Sequence, residues 1–364
     1  MQATTQAAFP VPEARYTRWL ERDLLPDWLI RMGIRQLVKG RLNKESAGGP
    51  EAQAMRLMSF IEEIRRSPVA LHPDAANAQH YEVPAEFYHL VLGPHRKYSC
   101  ALWTGETRTL AEAESAMLAL TCSRTRLEDG LDVLELGCGW GSLSLYMAEH
   151  YPHSRIVAVS NSKSQKAYID GKAARRRLTN LEVLTADMND FDTDRRFDRV
   201  VSVEMFEHMR NYGELLRRIA SWSRPDALLF VHVFSHIRYA YPFEVSDASD
   251  WMAQHFFTGG LMPSDDLLLH FQDNFRIREH WRHSGTDYQK TSEAWLSNLD
   301  HHRKKALALF EEVYGRDNSL LWLVRWRVFF MACAELFGYA KGEQWMVSHY
   351  LFENSAVRGT GIVS

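Results

Sequence analysis

Only four cysteines, Cys100, Cys122, Cys138 and Cys333, are scattered over 364 residues, and no two form a C-x-x-C pair. That scatter speaks against a disulfide framework and against a cysteine-rich metal site, so no metal is expected and a reducing cytoplasm suits the chain. An excess of basic charge is missing too: 43 Lys and Arg stand against 46 Asp and Glu, a formal net charge of -3. Nucleic acid, which binds through a positive field, is therefore not an expected partner. No apolar run is long and clean enough to read as a membrane span. The most apolar late stretch, Leu320–Ala340, carries Arg325, Arg327 and Glu335 and reads as a buried helix. The opening Met-Gln-Ala-Thr-Thr has no basic flank ahead of an apolar core, so a secretory leader is not expected. Internal repeats and low-complexity tracts are absent, and the 46% apolar fraction is ample for a real core.

What the chain does contain is Asp-Val-Leu-Glu-Leu-Gly-Cys-Gly-Trp-Gly at 132–141, an apolar run with an acid followed by glycines at every second position. The order describes a buried strand feeding a tight loop nearly without side chains, against which a bulky cofactor can lie. A dinucleotide loop reads G-x-G-x-x-G and seats a pyrophosphate on the next helix. Here the spacing is G-x-G-x-G and Glu135 stands two residues ahead of Gly137, which disfavours phosphate and suits a cationic ligand. Purely structural glycines are the other reading of the loop.

From Leu131 onward, short apolar segments alternate with longer helical ones, the pattern of a parallel sheet built from β-α-β units. Strands are predicted at Asp132–Leu136, Arg155–Val159, Leu181–Thr185, Phe197–Val203, Ala227–Val233 and Phe275–Trp281, with helices at Gly141–His150, Ser164–Arg177 and Tyr212–Ser223. Ahead of them, residues 15–45 form an amphipathic helix interrupted at Pro26, Ala52–Arg65 a second, and Ser67–Gln79 a linker. Two long helices, Ser292–Tyr314 and Leu320–Phe337, follow the sheet. The expected division is a helical cap and cofactor-covering segment at 1–125, a core at 126–290 and a helical pocket addition at 291–364. Cap and addition should pack together over the carboxyl ends of the strands, where open α/β sheets bind ligands.

Several motifs in combination carry a resemblance: His80-Tyr81-Glu82-Val83-Pro84, Lys97-Tyr98-Ser99-Cys100, the glycine loop, Val203-Glu204-Met-Phe-Glu207-His208, and the segment Trp326 to Tyr339 with Gly342-Glu343-Gln344-Trp345-Met346 beyond it. Over residues 75–353 they resemble the cyclopropane fatty-acid synthase superfamily of S-adenosylmethionine-dependent methyltransferases, and within it the coclaurine-type N-methyltransferase branch. The resemblance implies an α/β fold with a Rossmann-like methyltransferase sheet and S-adenosylmethionine as cofactor. It assigns Glu135, Gly137, Gly139 and Gly141 to the cofactor loop, Tyr81, Tyr98 and Ser99 to the methionine end, Asn161 and Gln165 to the ribose and neighbouring groups, and Asp187 to the adenine amino group. Taken singly, polar residues such as Asp187 and Ser160 are also good helix caps or turn residues.

Under the same resemblance Glu207 and His208 deprotonate an amine acceptor and Glu204 anchors it. An ammonium has no lone pair, so a base must first take its proton, and a carboxylate beside an imidazole can do so. A structural pair at a strand end is the plainer reading of Glu207 and His208. Trp326, Phe329 and Phe330 would face the substrate, although an aromatic stripe at helical spacing is more often core than pocket. The rival acceptor is an unsaturated phospholipid acyl chain. Methylenation there requires bicarbonate, for which Cys100, His232, Tyr288 and Cys333 match alongside Glu207, while the synthases usually carry glycine in place of Glu204. A buried charge at Glu204 suits a cationic amine better than an acyl chain. A homodimer and peripheral membrane contact through the N-terminal helix stay open.

Overall fold

The computed structural model describes residues 19–71, 83–243, 251–252 and 256–355. The predicted alternation becomes a seven-stranded sheet in the order β3-β2-β1-β4-β5-β9-β8. Its parallel part comprises β1 (Asp132–Leu136), β2 (Arg155–Ser160), β3 (Leu181–Thr185), β4 (Phe197–Val203) and β5 (Ser223–His236). A two-residue ribbon pairs β6 (Tyr241–Pro242) with β7 (Leu261–Met262). Four of the five residues of β1 and five of the six of β2 are buried, which is why these strands read as nearly continuous apolar runs.

The sheet is completed from the far end of the chain. β8 (Phe275–His283) is an edge strand, and β9 (Trp345–Asn354) inserts antiparallel between it and β5. The stretch 291–364, expected as a helical addition, thus also supplies a strand of the core sheet beyond its helices. Nearly every residue of β9 is buried, so Trp-Met-Val-Ser-His-Tyr-Leu-Phe shows no alternation to mark it as a strand. The segment predicted as one helix at 292–314 is two, α8 (Gly285–His301) and α9 (Arg303–Tyr314), divided at His302.

The remaining helices in chain order are α1 (Asp27–Ser46), α2 (Gly49–Arg66), α3 (Ala85–Val91), α4 (Leu110–Arg124), α5 (Ser142–His150), α6 (Lys163–Arg176), α7 (Tyr212–Trp222) and α10 (Arg316–Phe337). α4 starts on a capping box in which Thr109 accepts from the Glu112 N–H and Glu112 accepts from the Thr109 N–H. The charges that break up the apolar 320–340 stretch tie α10 to the N-terminal helix. Arg327 pairs with both Asp27 and Asp300, Arg325 with Glu21, and Glu335 receives Arg31 at 3.0 Å and Arg35 at 2.5 Å. Arg31 also reaches Glu293 of α8 at 2.6 Å, so the helical cap is clamped to the C-terminal helices. The apolar residues of the N-terminal segment and of α1 divide: Leu20, Leu25 and Leu29 turn toward a cavity, whereas Leu24 and Trp28 face outward. Among the described residues no helix is long and apolar enough to cross a membrane.

Where α8 begins, β9 begins and α10 ends, three backbones meet at Gly285. A Cβ there would lie 2.1 Å from the Trp345 carbonyl oxygen and 2.2 Å from that of Phe337. Backbone cannot swing aside as a side-chain tip can, so Gly285→Ala should cost about 1–3 kcal/mol and lower the thermal midpoint by several degrees. Differential scanning calorimetry checks this; an unchanged midpoint would show that the three backbones are not locked together.

Candidate active site

A cavity of about 1190 Å³ opens at the carboxyl ends of β1, β4 and β5 beneath the cap. Ligand sites commonly span roughly 300–1,000 Å³, so this one has room for a cofactor and a second molecule side by side. Its lining brings together the glycine loop with Tyr98, Ser99 and Gln165, the ionisable groups Glu204, Glu207 and His208, and an aromatic wall from Phe234, Phe257, Phe329 and Phe337.

The loop is held by its own backbone: the Gly137 and Cys138 N–H groups both donate to the Val159 carbonyl, at 3.0 and 2.9 Å. Its glycines are required for different reasons. A Cβ on Gly137 would strike Met205 and one on Gly141 would strike Ile169, at 2.8 and 2.6 Å, so these two serve close packing. Gly139 has φ +52° and nothing within 4 Å of where its Cβ would stand, next to the cavity it lines. Glu135, buried on β1, accepts from Ser144 Oγ at 2.5 Å, and burial pushes its carboxyl up to about 8. The carboxyl thus gains most from a cationic neighbour. Ser160 Oγ donates to Gln165 Oε1 at 2.7 Å, which turns the Gln165 side chain at the start of α6.

Other predicted cofactor positions lie further off. Gly141 caps α5 behind the cavity wall, and Asn161 occupies the β2–α6 turn. Asp187 lies just beyond β3, where its Oδ1 accepts from the Asn189 N–H at 2.7 Å, the turn chemistry that was its plainer reading. None of these three lines the cavity. Tyr81 lies outside the described residues.

At the centre is Glu204, the first residue after β4, with φ +47°, a left-handed conformation that glycine adopts without strain. Its N–H donates to the His232 carbonyl at 2.8 Å, which fixes the turn. Oε1 receives the Cys100 N–H at 2.9 Å and His232 Nε2 at 3.2 Å, and Oε2 receives the Tyr288 hydroxyl at 2.6 Å. Burial pushes this carboxyl up, but the His232 hydrogen bond, the Lys97 charge and the Cys100 N–H together hold it below the ordinary range. Lys97 is visible in the sequence only as part of the Lys97-Tyr98-Ser99-Cys100 motif. Fully buried, it donates to Ser99 Oγ at 2.5 Å and to the Cys100 carbonyl at 2.7 Å, bracing the loop that presents Cys100 to Glu204.

Glu207 and His208 occupy the single 3-10 turn after Glu204. Burial, and then the neighbouring Glu204 charge, push the Glu207 carboxyl well above its usual range, and its buried Oε2 has no hydrogen-bond partner among the described residues. Burial drives His208 the other way, down to about 4, so its imidazole is neutral at pH 7 while its ring stacks on Phe257. On α10, Phe329 and Cys333 line the cavity, whereas Trp326 and Phe330 lie in the core behind it, Trp326 with its ring 4.6 Å from that of Phe87. The stripe thus serves both purposes, and periodicity alone could not divide it. Among the described residues no cluster of three His, Cys, Asp or Glu side chains is arranged to hold a metal ion.

A sheet of this order with a glycine loop after β1 and acidic groups after β4 defines a Rossmann-like S-adenosylmethionine-dependent methyltransferase. The sequence pattern of the family described as mycolic acid cyclopropane synthetase matches residues 71–345, and the chain belongs to that family. It is 39% identical over 338 residues to (S)-coclaurine N-methyltransferase of Thalictrum flavum subsp. glaucum, a match covering 92% of this chain and 94% of the relative. A crystal structure of coclaurine N-methyltransferase bound to N-methylheliamine and SAH superposes with a TM-score of 0.90 at 36% identity, covering 93% of this chain and 99% of that one. Cyclopropane-fatty-acyl-phospholipid synthase of Escherichia coli K12 is more distant, 30% identical over 61% of this chain and 55% of its own. The cofactor is S-adenosylmethionine. The open face of Gly139 and the buried carboxyl of Glu135 fit a bulky cation of this kind.

A methyl group at Gly139 would project where the structure leaves space and would meet only the ligand. Gly139→Ala should leave the apo protein folded, with a left-handed alanine costing about 1–2 kcal/mol, and weaken S-adenosylmethionine at least about tenfold, equivalent to roughly 1.4 kcal/mol. Titration calorimetry checks it; unaltered affinity would return this glycine to a structural role.

Proposed function

We propose that the protein transfers a methyl group from S-adenosylmethionine to the nitrogen of a small amine bearing an aromatic group. The observation that carries the reading is the Glu204 carboxylate. The donors that methylenation would assign to bicarbonate, His232, Tyr288 and the Cys100 segment, already converge on that carboxylate. An external bicarbonate would have to displace it or lie beside a second buried anion, so bicarbonate does not fit this site. A buried negative charge facing an aromatic wall is instead the environment that attracts an ammonium. The relatives described as coclaurine N-methyltransferases, one holding N-methylheliamine, support an amine acceptor.

The roles follow from the electrostatics. Glu204, anionic and fixed by its donors, draws the ammonium inward. His208 is neutral and can accept the proton that the nitrogen must lose, while Glu207 Oε2, without a hydrogen-bond partner among the described residues, supplies a further contact for the amine. S-adenosylmethionine, when bound, supplies an electrophilic methyl group on a sulfonium. The aromatic side chains of the cavity wall shield the reacting nitrogen from water and favour a flat ring. The enzyme on this reading is cytoplasmic, and the outward Trp28 and Met32 of α1, 67% and 54% exposed, are the face on which a second copy or a membrane surface would bear.

Mass spectrometry of products from a mixed panel of arylalkyl amines and unsaturated phospholipids tests the acceptor. Methylated amine should form at an undiminished rate after rigorous bicarbonate removal. Activity should rise with pH toward the amine's own pKa, and His208, neutral above about 4, should add no limb of its own near neutrality. His208→Ala should cost about 10²-fold in turnover. Glu204→Gly should lose a similar factor and regain part of it in added formate, a small carboxylate that the same donors can hold. Cyclopropane formation that depends on bicarbonate, with no amine methylated, would overturn the reading.

A further inference from the structure

Beyond Glu204 the hydrogen bonds continue away from the cavity. His232 Nδ1 lies 2.8 Å from His349 Nε2, and His349 Nδ1 lies 2.6 Å from Arg124 Nη1 at the end of α4. The same Nη1 lies 2.6 Å from His283 Nε2. Register makes this alignment unavoidable: Val203 stands opposite His232 across β4 and β5, and His232 stands opposite His349 across β5 and β9. Both imidazoles are completely buried. Burial also lowers both below their ordinary pKa, so each ring is neutral, with one donor nitrogen and one acceptor nitrogen.

A guanidinium can only donate. Its two Nη1 hydrogens account for the two imidazole contacts, so His349 Nδ1 must accept. The proton of His349 is then on Nε2 and points to His232 Nδ1, and the proton of His232 is on Nε2 and points to Glu204 Oε1. Every link runs in one direction, from a fixed cation to the carboxylate. The arrangement cannot conduct a proton outward, because its outer end has no acceptor.

We propose that Arg124 and His349 are positioning residues for the methyl-transfer site, forming with His232 a one-way donor chain that fixes the His232 tautomer and keeps Glu204 anionic. The use made of that charge rests on the amine reading above; the chain itself does not. The groups facing it are few. Lys97, Glu207, His208, Cys100, Tyr288 and Cys333 surround Glu204. Lys97 also acts on both His232 and His349, and His283 acts on His349. Arg124 is flanked by the Glu279 charge and covered by the Trp281 ring at 4.6 Å, and burial lowers it only to about 10, so it remains a cation at neutral pH.

Two measurements test the chain. In protein labelled at its histidine ring nitrogens, with resonances assigned through His232→Gln and His349→Gln, nitrogen NMR should place His232 and His349 in the Nε2–H tautomer, and Arg124→Gln should mix or invert both. The second is binding of N,N-dimethyltetrahydroisoquinolinium, a cation that does not titrate, followed against pH. Its loss at acid pH reports protonation at Glu204, and in Arg124→Gln the midpoint should move up by about one pH unit, with Arg124→Lys returning toward wild type. An Nδ1–H tautomer at either wild-type histidine, or an unmoved midpoint in folded Arg124→Gln, overturns the proposal. Should Arg124→Gln fail to fold, the wild-type tautomers and Arg124→Lys decide it. If the probe binds wild type at no pH, the amine reading falls, and the tautomers alone judge the chain.

Discussion

A carboxylate taken out of water must recover its lost hydration from the protein, and at Glu204 that requirement organises the centre of the fold. Its partners come from three separated parts of the chain: the Cys100 N–H ahead of α4, His232 on β5 and Tyr288 on α8. Each has to be delivered to within about 3 Å of one side chain. α8 must therefore lie across the strand ends, the 97–101 segment must be braced, and the turn after β4 must accept a left-handed residue other than glycine. Such a turn stores of order 1–3 kcal/mol of strain; three charge-assisted hydrogen bonds are enough to hold it.

Around this anion the other ionisable groups separate by environment. Glu207, a few residues on, is pushed up because burial and the Glu204 charge act in the same direction. His208 is pushed down by burial alone to about 4, although the same anion favours its charged form. Glu135, which lines the same cavity, is pushed up to about 8 and accepts from the Ser144 hydroxyl. One carboxylate kept charged, two with unmet demand for a donor and an imidazole kept neutral make a site that is short of positive charge. Two cationic molecules, a sulfonium and an ammonium, are what such a site lacks. This is the physical reason that these groups share one cavity.

Much of the sheet was legible because β1, β2, β3 and β4 are short apolar segments bounded by helices with ordinary caps, and the glycine loop announces a backbone that a ligand approaches. The boundaries of β3 and β4 match the predicted ones residue for residue. β9 was not legible, since burial on both faces erases the alternation that identifies a strand, and its pairing with β5 spans more than a hundred residues of sequence. Its concealment also hid the chain behind Glu204: Arg124 reads as an ordinary basic residue in the last helical turn, and His349 as one histidine among sixteen. Only register across β5 and β9 brings them together. The division of α10, with Phe329 on the cavity and Trp326 and Phe330 behind it, needed the position of α3, for which the sequence carried no strong signal.

The cap sets this chain apart from the general pattern of its family. That pattern begins at residue 71, after α1 and α2 are complete. A match covering 92% of the chain necessarily takes in α2 and most of α1, so the cap is shared with the coclaurine N-methyltransferase relative, whereas the bacterial synthase aligns over only 61%. Leu20, Leu25, Leu29 and Gly33 from the capping segment line the same cavity as Glu204. The cap is clamped by Arg31, Arg35 and Arg327 to carboxylates on α8, α10 and its own first turn. Closing an anionic cavity with an apolar lid strengthens every electrostatic interaction inside it, because water no longer screens them. The Glu204 anion and the cap are thus two halves of one device: the charge selects a cation, and the lid makes that selection count.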